Sequence, residues 1–131
     1  MDEDVIDFAT KIFDLARAGD AVALAAYVDA GVPVEMTNDR GDTLLMLAAY
    51  HGHDAAVRVL LERGADPGKP NDHGQTPLAG AVFKSEPAVV RALLDGGADP
   101  RAGQPSAVNV ARMFGKPEFL AWFAEERGSD S

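Results

Sequence analysis

The residues of this chain whose types could do chemistry are few: three histidines, His51, His53 and His73, and two runs of carboxylates, Asp2-Glu3-Asp4 and Glu125-Glu126. The segment His51-Gly52-His53-Asp54 brings two imidazoles and a carboxylate close together, the donor types that bind a divalent metal or move a proton. A glycine between the histidines marks a loop, however, whereas metal and acid-base sites need donors held on rigid elements. The N-terminal carboxylates lie where a first helix would start and suit the positive end of its dipole, and Glu125-Glu126 follows the last apolar turn as solvated surface. The chain has no cysteine, so thiolate metal sites, cysteine nucleophiles and disulfides are excluded together. No glycine-rich phosphate loop follows a strand, and no Ser, His and Asp arrangement has a recognisable frame. The expectation is a protein that is not an enzyme, with no catalytic residue, cofactor or metal. A metal, ligand or enzymatic site near His51 and His53 is the alternative.

The 131 residues suit one compact unit, and 47% hydrophobic with 25% charged residues is an ordinary globular composition. Twelve Lys and Arg against twenty-one Asp and Glu give a formal charge of -9, which repels nucleic acid and favours a protein partner with a basic patch. No run of eighteen apolar residues occurs, and the acidic N-terminus is unlike a secretory signal, so the reading is cytoplasmic with no membrane partner. Eight Arg against four Lys, with abundant Ala, Gly and Asp, suit a bacterial genome of high GC content.

Around these residues the chain repeats. Gly64-Ala65-Asp66-Pro67 returns as Gly97-Ala98-Asp99-Pro100, and Gly41-Asp42-Thr43 as Gly74-Gln75-Thr76, each displaced by 33 residues. The same step backwards lands on Thr10, Gly19 and Gly31, a weaker copy. Ser106 takes the Thr place of a fourth copy after a loop three residues shorter. Thr43 and Thr76 have N-cap chemistry, and Pro77 suits a first helical position. Gly52 or Ser85 then breaks the first helix of each copy. A second helix carries Val57, Leu60 and Leu61, then Val90, Leu93 and Leu94, on one face, and ends at Gly64 or Gly97. The Asp-Pro, Gly and Asn residues that follow predict an extended hairpin-like loop. Such units cannot bury their apolar faces alone and must stack into a solenoid.

These residues resemble the ankyrin repeat family. Gly41-Asp42-Thr43-Leu44-Leu45-Met46-Leu47-Ala48-Ala49-Tyr50-His51-Gly52-His53 matches the first half of its pattern, and Val59-Leu60-Leu61-Glu62-Arg63-Gly64-Ala65-Asp66 the second. The resemblance implies an all-α, ankyrin-type α-solenoid of stacked helix-turn-helix repeats. It forms a single domain over residues 1–131, with an N-terminal capping repeat at 5–37, inner repeats at 38–70 and 71–104, and a C-terminal capping repeat at 105–128. Two departures stand out: Met46 and Ala79 replace the family's histidine, and Gly80 replaces a buried leucine, which predicts a weaker third repeat. Asp14 and Arg112 put polar groups where an inner repeat is buried, as end caps require, so the array is expected to be complete. Phe119, Leu120, Trp122 and Phe123 should close the stack, and His53 is assigned to a structural turn.

In the resemblance, partners are bound by the loop tips and the exposed end of each first helix. Carried over, these places are Asp39, Arg40 and Asp42 with Tyr50 and His51, then Asp72, His73 and Gln75 with Phe83 and Lys84, with Arg17-Ala18 and Met113-Phe114 in the terminal copies. Tyr50, Phe83, Met113 and Phe114 would form an apolar stripe on the concave side, with Arg40, Lys84 and His73 orienting the partner. The protein is thus expected to be a non-catalytic interaction module, a monomer or weakly self-associating. Self-association through the same stripe is a further alternative.

Overall fold

The computed structural model describes residues 3–129, with side chains described through residue 125, so Asp2 and the side chain of Glu126 lie outside it. Among the described residues, eight helices form four antiparallel pairs: α1 (Glu3–Ala18) with α2 (Ala21–Asp29), α3 (Leu44–Tyr50) with α4 (Asp54–Glu62), α5 (Pro77–Phe83) with α6 (Pro87–Asp95), and α7 (Ala107–Met113) with α8 (Pro117–Ser129). The first helices stack in the order α1, α3, α5, α7, and the second helices α2, α4 and α6 stack behind them. The loops carry only isolated antiparallel bridges, Thr37 to Thr43 and Gly103 to Ser106, and there is no extended strand among the described residues.

Hydroxyl residues start the short first helices. Thr43, Thr76 and Ser106 stand in extended backbone and accept from the amides of Met46, Ala79 and Asn109 at 3.0, 3.2 and 3.2 Å. Left-handed glycines stop the second ones. At Gly64 the chain closes with Gly64 N–H donating to the Leu61 carbonyl at 3.1 Å and Ala65 N–H to Leu60 at 3.0 Å, and Gly97-Ala98 repeats the pattern on Leu94 and Leu93. Of the residues predicted on one face of the second helices, Val57, Leu60, Val90 and Leu93 are fully buried and Leu94 nearly so, whereas Leu61 is half-buried; Leu24 is fully buried in the first copy.

The first copy departs from the period. Thr10 falls in register with Thr43, but α1 runs back to Glu3, so Thr10 is mid-helix and its hydroxyl donates to the Ile6 carbonyl at 3.0 Å. The two extra turns leave Val5, Ile6 and Phe8 exposed, although Asp14 and Arg112 face solvent as caps should. At the other end Phe119 and Phe123 are buried, Trp122 packs edge-on to Phe119, and the Arg91 guanidinium lies 4.3 Å from the Trp122 ring centre.

Between the helices of a pair, the chain turns through a left-handed residue that lies under the next repeat. A Cβ on Gly19 would sit 2.3 Å from the His53 ring, and one on Gly52 would sit 2.7 Å from the Glu86 carboxyl. The third copy has Ser85 there, at φ 56, accepting a hydrogen bond from the Lys116 ammonium. A left-handed L-residue costs about 1 kcal/mol relative to glycine. Ser85→Gly should therefore raise stability by about that amount in urea unfolding, less the value of one exposed hydrogen bond, and an unchanged or lower midpoint would refute the strain.

Candidate protein-binding site

The first helices carry at equivalent places near their C-terminal ends Arg17, Tyr50, Phe83 and Met113, with Phe114 next to the last. Tyr50, Phe83, Met113 and Phe114 are 38, 48, 65 and 51% exposed, which is high for residues of their size. Phe83 and Phe114 meet edge to face with ring centres 5.1 Å apart, and the Lys84 ammonium lies 5.1 Å from the centre of the Tyr50 ring.

These side chains wall a groove of about 300 Å³ between Tyr50 and Phe114, with Met46, Ala79, Gly80 and Val110 deeper in it. Gly80 leaves this space: a Cβ there would stand 3.5 Å from both Met46 Cε and Tyr50 Cδ2, at ordinary contact distance and facing into the groove. Met46 is nearly buried, so its thioether forms adaptable apolar lining. Across the shared wall of Met46, Tyr50 and Gln75 lies a second, polar basin of about 470 Å³ that includes Arg17, Arg40, Asp42, His51 and His73.

Of the fourteen residues expected at an interface, ten line the groove or the basin, Lys84 borders them beside Tyr50, and Asp39, Asp72 and Ala18 line neither; those that do line them do different things there. Arg40, His51, His73, Gln75 and Lys84 are exposed. Asp42 is only 9% exposed and is committed within the protein, its carboxylate accepting from Asn71 Nδ2 at 2.9 Å and Asn38 Nδ2 at 3.5 Å. Asn38 and Asn71 shape the loop tips: Asn38 Oδ1 accepts from the amides of Arg40 and Asp42, and Asn71 Oδ1 from those of His73 and Gln75, each at 3.0 Å. Asp72 N–H donates to the Arg40 carbonyl at 3.0 Å and ties one tip to the next. Met46, Gly80, Pro105 and Val110 were not among the expected site residues, although Met46 and Gly80 already stood out as departures from the repeat.

His51 and His73 line the basin, whereas His53 does not. His53 Nε2 lies 2.8 Å from the Arg17 carbonyl oxygen, fastening the second repeat to the first, and among the described residues no group of three His, Asp or Glu side chains could hold a metal. His51 caps the C-terminal end of α3 and is held below the ordinary histidine value by burial and then by repulsion from His53, Arg17 and Lys84. The folded state therefore binds fewer protons at His51 than the unfolded chain, and its stabilising contribution, complete above the ordinary value of 6.5, is lost as pH falls through the lower folded value. His51→Gln should lose less melting temperature than the wild type between about pH 7.5 and about pH 5.5. Equal losses would show that His51 carries none of this acid sensitivity.

Comparison with known proteins agrees with the stacked pairs. A family model described as ankyrin repeats in three copies matches residues 12–104. An ankyrin repeat protein of Pseudomonas aeruginosa is 45% identical over 59 residues, which is 45% of this chain and 34% of that protein. The solved human ASB11 ankyrin repeat domain superposes with a TM-score of 0.65 at 32% identity, covering 68% of this chain and 40% of that one. The chain thus spans about a third of the bacterial relative and 40% of the human domain. No helix among the described residues is long and apolar enough to cross a membrane. The period, the helix pairs and a family match over most of the chain lead to one conclusion: this chain belongs to the ankyrin repeat family, whose members are generally protein–protein interaction modules.

Proposed function

We propose that this protein is a non-catalytic, cytoplasmic binding module that docks another protein on its concave face. The observation that carries the reading is the convergence of Tyr50, Phe83, Met113 and Phe114, all exposed, on one groove with a polar margin. Such a combination of aromatic anchors and charged rim is the composition of an interface centre. The formal charge of -9 acts at longer range and speeds the approach of a partner with a basic patch, so association should slow as salt is added.

The test is capture of a partner from native cell extract by the wild type and by a Tyr50→Ala/Phe83→Ala double variant, with helical melting followed for both. Both rings are part-exposed, so the variant should stay folded and lose the partner by about a hundredfold or more in affinity. Equal capture by the folded variant would overturn the concave-face assignment. Sedimentation in dilute solution checks the self-association alternative, in which the stripe of one copy meets that of another.

A further inference from the structure

The concave surface is not uniform along the stack. Its first-helix ends run from Arg17 through Tyr50 and Phe83 to Met113, and the next positions from Ala18 through His51 and Lys84 to Phe114. Of these positions the N-terminal half holds Arg17 and the imidazole of His51, and the C-terminal half holds the large apolar groups Phe83, Met113 and Phe114 with one charge, Lys84. Loop-tip residues Arg40 and His73 add to the polar half.

In a chain with nine more negative than positive charges, the polar basin is lined by two guanidinium groups, two imidazoles and one carboxylate. That carboxylate, Asp42, is occupied by the Asn38 and Asn71 amides. Asp14 pairs with Arg17 at 3.0 Å from outside the basin, and Asp39 and Asp72 are exposed at the loop tips without lining it. Arg40 lines the basin and the Lys84 ammonium lies 5.1 Å from the centre of the Tyr50 ring at the shared wall, while the proton affinity of His51 is lowered by burial first and then by His53, Arg17 and Lys84. The apolar groove beyond Tyr50, about 300 Å³, is at the small end of the range that holds a compact ligand group.

Resting on the concave-face reading above, we propose that the partner enters as an extended segment with an apolar side chain in the groove that Gly80 leaves open and a neighbouring carboxylate in the basin at Arg40 and His73. Two features select this occupant. The groove has no charged lining, so it takes an apolar group without burying an unpaired charge. The basin offers guanidinium and imidazole donors, which suit a carboxylate and reject an ammonium. The partner's basic patch, outside this segment, governs encounter, whereas the segment governs the seated contact.

Selection from a library of random short peptides displayed on phage tests the proposal, with the full chain as bait. The expected consensus pairs a large apolar residue with Asp or Glu close by. One selected peptide, made synthetically, should lose about tenfold or more in affinity to Gly80→Leu, which fills the groove, and to Arg40→Glu, which reverses the basin. Arg40 is exposed on a loop, so its variant reads binding even if Gly80→Leu disturbs the fold. Basic selected sequences, or sequences indifferent to Arg40→Glu, overturn the proposal while leaving the concave face standing if Tyr50→Ala/Phe83→Ala still abolishes binding. Selected sequences indifferent to that double variant overturn both readings. A library that yields no consensus overturns the extended-segment proposal alone, since capture of a folded partner would be unaffected.

Discussion

Phe119→Ala is expected to cost about 3–5 kcal/mol and to melt the last helix pair ahead of the rest. Phe119 is 1% exposed, the largest of the fully buried side chains among the described residues, and sits in the first turn of α8 with Trp122 edge-on at 5.4 Å between ring centres. Truncation removes an aromatic ring from the last helix pair of the described residues, which packs on the preceding pair through α7 and α5. The loss is a large share of the roughly 5–15 kcal/mol typical of a domain, but in a stacked array it is first felt locally. Hydrogen exchange in the native state should show α8 and then α7 opening at much lower free energy, while α3 and α4 keep most of their protection. Uniform loss of protection across all helices would mean that the array opens as one unit.

This local character explains what could be read before the structure. The inner copies were legible because their punctuation is local: Thr43 and Thr76 cap within their own helices, and the turns at Gly64-Ala65 and Gly97-Ala98 end helices through bonds that run three and five positions back. The first copy was less legible because Thr10 keeps the period but not the role, and nothing in a 33-residue step tells a cap from a mid-helix threonine whose hydroxyl bonds backwards. The exposed apolar residues Val5, Ile6 and Phe8 likewise lie on turns that the repeat does not contain.

The site divided in the same way. Tyr50, Phe83 and Met113 share a register, so their common face follows from the repeat alone. Asp42 looked like a loop-tip charge open to a partner, yet its carboxylate is held by Asn71 in the next loop, a contact that exists only once two repeats are stacked. Gly80 looked like a defect for the same reason. Its missing side chain lowers helix propensity by about 1 kcal/mol within α5, but the space it leaves belongs to Met46 and Tyr50 of the preceding repeat as much as to its own. Local rules register the cost, and only the stacking shows the groove.

Leu60→Ala places a loss of similar size in the middle of the stack, and the contrast with Phe119→Ala separates local from global stability. Leu60 is fully buried in α4, which packs against α2 on one side and α6 on the other as well as against its partner α3. Replacing it should cost about 3–5 kcal/mol, since neighbours on three sides restrict collapse into the void. Here both halves of the array depend on the damaged layer: the first pair docks only on it from one side, and the last two pairs from the other. The bidentate Arg63–Asp29 pair, 2.9 and 3.2 Å, spans α4 and α2 but is too exposed to replace the lost packing. A single unfolding transition should therefore fall by roughly 10 °C or more, with exchange protection reduced in every helix. Should Leu60→Ala instead open α1 and α2 alone and leave α5 to α8 protected, the coupling between repeats would be weaker than their shared core implies, and the C-terminal half, which carries the apolar part of the groove, would fold without the N-terminal half.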